Sequence, residues 1–185
     1  MPNPVKHTRD AMLDAARALI TGGGPAAVSA RAVAAALGAP SGSIYHRFPR
    51  RDDLVAAAWL RAQDRFLDAY LAAAERGPVA AATSVPTWSV EHPADAALLL
   101  RHALADLLRG DVSPALTEHA EANNARAEAA VRRLADEAGI PVRDMVLAVV
   151  DLPYAVTRRL LRAGVPVQSD VDSLARAVGR LVGPA

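Results

Sequence analysis

Residues Ser29–Leu54 read SARAVAAALGAPSGSIYHRFPRRDDL, two short helical segments around a break. Ser29 suits an N-cap, Val33 and Leu37 fall on one inward face, and Gly38-Ala39-Pro40 ends the helix after barely two turns. Ser41 is expected to cap the next helix, in which Ile44 and Phe48 share a face while Ser43, Tyr45, His46 and Arg47 stay outside, and Pro49 closes it. Two short helices joined by a tight turn containing Gly form a helix-turn-helix, whose second helix enters the major groove with its N-terminal residues facing base edges. Ser41 and Ser43 offer small hydroxyls at that leading end, and Gly42 lets the backbone approach DNA closely. Tyr45, His46 and Arg47 can reach phosphates on either side.

A turn with Gly also joins helices that never touch DNA, and the pattern by itself leaves that reading open. Charge favours DNA. Residues 1–51 carry Lys6, Arg9, Arg17, Arg31, Arg47, Arg50 and Arg51 against Asp10 and Asp14, a net of +5, whereas the whole chain carries only +1. One end of the chain is suited to a polyanion and the remainder is not.

Composition sets the fold class. The chain has 185 residues, within the range of one ordinary domain or a small domain joined to a larger one. It is 52% hydrophobic and 4% aromatic, and Ala occupies 43 positions, which favours helix over strand. An all-α fold is expected. There is no Cys, so disulfides, thiolate metal sites and Cys nucleophiles are excluded. The start MPNPVKHTRD has no apolar signal region, and Met145–Val156, the longest low-charge run, is too short to span a bilayer. A cytoplasmic location and no membrane partner are therefore expected. His7, His46, His92, His102 and His119 show no paired spacing on a helical face, so no metal site is expected. Gly22-Gly23-Gly24 lacks the strand and lysine of a phosphate-binding loop, and no serine-nucleophile motif or Glu-x-x-His pair is present. Neither catalysis nor a cofactor is expected.

Outward from the central stretch, Thr8 can cap a helix over about 8–21, stopped by Gly22-Gly23-Gly24-Pro25. A long helix runs from Arg51 to about Arg76, with Asp52 and Asp53 in its first turn. Residues 79–93 read as a broken helix interrupted by Pro86, and 94–109 as a further helix ending at Gly110. Ser113-Pro114 opens a helix to Ala138. Residues 142–163 form another, apolar on more than one face and kinked by Pro153, and the last, about 170–182, opens on a capping pair of Ser169 and Asp172. The whole is about nine helices: a helix-turn-helix DNA-binding domain over 1–51, then a helical bundle for ligand sensing and dimerisation over 52–185.

Ser29 to Leu54, with Ala15-Ala16 in the first helix, resembles the DNA-binding signature of the tetracycline-repressor (TetR) family. The resemblance covers residues 8–55; beyond it only the helix count, the helix lengths and a Glu91-His92-Pro93 stop are similar. It implies a homodimeric regulator of double-stranded operator DNA with a six-helix regulatory domain. Arg31 then matches an early position of the second helix that contacts bases or backbone, and Ser41, Gly42 and Ser43 match groove-facing positions. Tyr45 matches the phosphate-binding tyrosine and His46 a variable contact, while Arg47 stands where His is usual. Arg51 replaces a customary phosphate-binding Lys, keeping the charge with altered geometry.

The resemblance further implies that the last two long helices pair with their copies. The apolar run 145–156 agrees, although both helices could instead complete the monomer core, and Asp151 there is open to pairing, a cavity or water. A ligand pocket implied among the later helices would draw its wall from Phe66, Tyr70, Trp88, His102, Asn123 and Tyr154, each of which could equally be core. The expected function is a transcriptional repressor released by a small apolar or aromatic effector. The alternatives are a regulator controlled by a protein partner, and a helical ligand-binding or enzymatic bundle without DNA binding.

Overall fold

The computed structural model describes residues 8–163 and 168–183; Lys6 and His7, counted above, lie outside them. All regular structure among the described residues is helical. Packing divides the chain into two compact units, one of residues up to Gln63 with Ala97–Ala120, the other of Asp64–Ala96 with the residues from Glu121 onward.

In the first unit, α1 (Arg9–Gly23) starts where Thr8 Oγ1 accepts from Ala11 N at 3.1 Å, as expected. It runs past Gly22, because only Gly24 takes the left-handed φ of +75° that leaves the helix. A 3-10 turn, Pro25–Ala27, leads to α2 (Ala30–Leu37), capped by Ser29 Oγ at 3.0 Å from Ala32 N. Gly38 ends α2 at φ +63°, with Gly38 N bonded to Ala35 O and Ala39 N to Ala34 O. The next helix, α3 (Ser41–Arg47), corrects one expectation: Pro40, extended at ψ 133°, holds the cap position and Ser41 is the first helical residue. Met12, Leu13, Ala16, Ile20, Val33, Ile44 and Phe48 form one core with Leu54, Leu98 and Leu107.

The helix α4 (Arg51–Ala74) begins in this unit, and its first turn fastens two irregular segments. Arg51 donates from Nε to Val28 O at 3.3 Å, from one terminal nitrogen to Leu107 O at 3.1 Å and from the other to Pro25 O, and it pairs with Asp52 Oδ1. Asp52 Oδ2 accepts from Arg109 N at 3.0 Å and Gly110 N at 2.8 Å, and Asp53 Oδ1 accepts from Ser113 N at 2.7 Å. These side chains satisfy backbone groups that no helix supplies with partners. Burial by itself raises the Asp52 pKa, but the Arg109 N–H, the Arg51 side chain and the Gly110 N–H outweigh it and hold it below the usual carboxylate value of 3.8.

The 94–109 region is also corrected. Instead of one helix, α6 (Pro93–Arg101) is followed by a single turn, α7 (Leu104–Leu107), because Trp59 Nε1 takes the His102 carbonyl at 3.0 Å and Ala103 is extended.

In the second unit, α5 (Pro78–Glu91) is continuous through Pro86, against the expected break. It packs against the last two helices, and that burial outweighs the hydrogen bond and ring clearance lost at Pro86. Hydroxyls of Thr83, Thr87 and Ser89 bond the carbonyls four residues back at 2.8–2.9 Å. The long helix α8 (Pro114–Ala138) follows its sequence pattern and ends at Gly139, φ +66°. Residues 142–163 are α9 (Val142–Val146), a π-helical turn (Leu147–Asp151) and α10 (Leu152–Ala163). Pro153 is thus received by a widened turn, in which Leu152 N bonds Leu147 O, rather than by a simple kink. Finally, α11 (Gln168–Val182) does not form the expected Ser169–Asp172 capping pair, since Ser169 is already helical and the Asp172 carboxylate accepts from Gln168 Nε2 at 3.1 Å.

The Asp52 contribution to stability is present above 3.8 and is lost as pH falls below that value through the lower folded one. Asp52→Asn is expected to lower stability at neutral pH by about 2 kcal/mol and to flatten the acid limb of the stability profile. Denaturant titrations of both proteins across that pH range check this.

Candidate functional site

The α2–α3 pair presents one polar face over a buried base. Ile44 is fully buried and Phe48 nearly so, which fixes the roll of α3 about its axis. Ser41, Gly42, Tyr45, His46 and Arg47 are then exposed, as is Arg31 on α2, so the structure gathers these predicted residues on accessible surface. Tyr45 is 54% exposed, a large ring presented to solvent rather than to the core. A Cβ built at Gly42 meets nothing within 4 Å, so the leading end of α3 is bare backbone facing open space. Ser43 is half-buried and its Oγ donates to Pro40 O at 2.7 Å, which leaves its lone pairs to accept.

Arg51 does not join them. Its guanidinium is turned into the unit and spent on three carbonyls and Asp52, so it corrects the assignment of a phosphate contact at that position. Arg50 points outward instead, half-exposed and paired with Asp53 at 3.0 Å. Arg9, whose guanidinium carbon lies 5.8 Å from the centre of the Phe48 ring, adds a second exposed cation beside α3. The sequence pattern singles out neither: adjacent arginines do not reveal which one faces inward, and Arg9 is brought beside Phe48 only by the packing of α1.

The second unit contains an apolar cavity of about 190 Å³. Phe66, Leu67 and Tyr70 from α4, Val85 from α5, Ala127 and Val131 from α8, Val149 and Val150 from the π turn, and Tyr154 from α10 form its wall. Of the residues expected to line a pocket, Phe66, Tyr70 and Tyr154 do so. Trp88 stands behind Phe66, edge-on at 5.3 Å, and reaches His92 at 4.9 Å. Asn123 is buried in a polar cluster, donating to Asp64 Oδ1 at 2.7 Å and accepting from Arg126. His102 belongs to the other unit, where its carbonyl receives Trp59. These three are corrected to structural roles. The valines of the wall carry no sequence signal that separates them from core. Burial pushes the Tyr70 hydroxyl up to about 12, and this hydroxyl has no hydrogen-bond partner among the described residues.

Among the described residues no helix is long and apolar enough to cross a membrane, and no cluster of side chains could hold a metal ion.

A helix-turn-helix with an anchored, polar-faced second helix defines a DNA-binding transcription regulator. Residues 12–58 match the family described as bacterial regulatory proteins, tetR family, and the chain is a regulator of that family. No curated protein matches the chain significantly. Among solved structures, a tetR family regulator from Shewanella sp. PV-4 is 17% identical with a TM-score of 0.73, covering 95% of this chain and 96% of its own. A bacterial regulatory protein of the tetR family from Rhodococcus RHA1 is 20% identical at TM-score 0.73, covering 96% and 97%. The multidrug binding protein EbrR, solved with imidazole, is 24% identical at TM-score 0.64, covering 97% of each chain. The likeness to these structures is one of fold.

Arg51→Ala should therefore cost about 2 kcal/mol of folding stability through its unpaired partners. Arg47→Ala should stay within about 0.5 kcal/mol of wild type and lower the slope of log K against log salt for duplex DNA by about one unit for each phosphate no longer neutralised. Denaturation and anisotropy titrations across ionic strength separate the two outcomes.

Proposed function

We propose that the chain is a homodimeric, effector-controlled repressor of the cytoplasm, with 1–51 as its DNA-binding part and 52–185 as its sensing and dimerisation part. In this reading Arg31, Ser41, Gly42, Ser43 and His46 face bases or the groove edge, while Tyr45, Arg47, Arg50 and Arg9 hold phosphates. The observation that carries it is the pairing of an exposed polar recognition helix in one unit with an apolar cavity in the other.

Dimerisation through the last helices is supported by Leu147, Val150, Tyr154, Leu161 and Leu181, large apolar side chains left exposed on the π turn, α10 and α11. Gly179 adds a point of close approach, since its Cβ position is open. Asp151 is exposed beside this stripe. Val150 and Tyr154 belong both to the stripe and to the cavity wall, so a second copy on this face would cover the cavity's outer side.

A volume of about 190 Å³ suits one aromatic ring with a short substituent, given that a dry cavity of about 150 Å³ holds benzene. Imidazole in EbrR is a precedent for a small ring in a protein of this fold. Phe66, Leu67 and Tyr70 sit on the same helix as Arg51, so occupancy and the α4 fastening share one element. A ligand acts only by preferring the conformation that binds DNA poorly.

The protein should sediment near twice its 19.3 kDa chain mass and protect a pseudo-palindrome with half-site centres about 34–36 Å apart or somewhat more. Selection from random duplexes followed by footprinting tests this, and a monomer at micromolar concentration refutes it. A small aromatic effector should raise the thermal midpoint while lowering operator affinity, two effects linked reciprocally. Ala127→Leu, which fills the cavity, should remove both responses and leave operator binding within two- to three-fold, roughly the spread of additive distant effects. Ala69, a neighbour of Tyr70 on α4 outside the wall, is not a suitable site for that substitution.

A further inference from the structure

Two tyrosines reach the cavity, and their surroundings differ. Tyr154 is 40% exposed, with the Arg158 guanidinium 5.6 Å from its ring. Tyr70 is only 5% exposed, its ring 5.9 Å from Phe66, and its hydroxyl is buried with no partner among the described residues. Buried hydroxyls in folded proteins are nearly always hydrogen-bonded, and one left unpaired loses its hydration without compensation. The rest of the wall nearby is Phe66, Val85, Ala127 and Val149, none of which carries a side-chain acceptor. Burial keeps this hydroxyl protonated to about 12, so it stands as a donor at every physiological pH. No charged side chain lines the cavity, and a buried ion would there be unpaired.

We propose that the Tyr70 hydroxyl sets the ligand class of the cavity: a neutral compound of about one aromatic ring that carries a single hydrogen-bond acceptor, such as an aryl ketone or aldehyde. Hydrocarbons of the same shape leave the hydroxyl unpaired, and carboxylates bring a charge with no counterpart. This inference rests on the cavity being the effector site, and the test separates the two ideas.

Acetophenone, ethylbenzene and benzoate are titrated calorimetrically into the full chain and into Tyr70→Phe. Acetophenone is expected to bind wild type and to lose about five- to ten-fold in Tyr70→Phe, the equivalent of one hydrogen bond, whereas ethylbenzene changes by less than about two-fold. Benzoate is expected to bind far more weakly than acetophenone. The unliganded Tyr70→Phe protein should melt at the same temperature as wild type or higher, because an unsatisfied hydroxyl has been removed. An equal change for acetophenone and ethylbenzene, or benzoate binding as tight as acetophenone, overturns the inference while leaving the cavity as a site. A lower melting temperature for unliganded Tyr70→Phe overturns it as well, since the hydroxyl would then already be satisfied. If neither neutral probe binds wild type, the cavity itself fails as the effector site.

Discussion

The α2–α3 reading head depends on one fastening, the Arg51–Asp52 pair in the first turn of α4. The helices α2 and α3 have eight and seven residues, well below the length at which a helix is stable alone in water. Their order comes from the core into which Ile44 and Phe48 insert, and Leu54 at the start of α4 completes that core. Arg51 fixes the start of α4 against Pro25 and Val28, which form the entry to α2, and against Leu107. Asp52 and Asp53 then hold the 109–113 segment through its N–H groups. Charge-assisted bonds between mutually satisfied groups make this arrangement costly to break singly. A salt bridge of this kind is weak as a source of net stability but strong as a constraint on geometry, and geometry is what a helix presented to a groove requires.

Most of the fold is legible in the sequence because its signals are local. Thr8 and Ser29 act as caps, Gly38 takes the left-handed turn, and Ser113-Pro114 to Gly139 bounds α8 as the pattern demands. Local pattern misleads where a distant partner decides. Trp59 draws the His102 carbonyl out of a helix that the local sequence would continue. Pro86 sits inside α5 because the helices packed around it repay the loss. In the reading head, periodicity identifies which side chains of α3 face outward, since Ile44 and Phe48 define the inward side. It does not separate Arg50 from Arg51, whose directions depend on carbonyls more than 20 residues away in the chain.

The cavity is harder to read. Aromatic and polar side chains are the natural candidates, yet three of the six, Trp88, His102 and Asn123, are spent on packing or internal hydrogen bonds. Much of the actual wall is valine and alanine, which in sequence look the same whether they face a void or a neighbour. A void arises from a mismatch of volumes between helices, a property of the assembled layer rather than of any residue. The small side chain at Ala127 opposite Phe66 and Tyr70 is one place where such a mismatch is left unfilled.

The π turn at Leu147–Asp151 has a consequence for how this chain tolerates change in length. It accommodates one residue more than a regular helix would place in the same rise. Val149, fully buried, and Val150, 43% exposed, both border the cavity across that widened turn. Deleting a single residue here would restore ordinary helical winding, and everything downstream would rotate by about 100° relative to what precedes it. Thr157 and Leu160 would leave the interior and Tyr154 the cavity, so the surplus residue acts as a phase setting for the whole of α10. Alignments of this segment that close the gap by one residue would mistake a register device for an insertion.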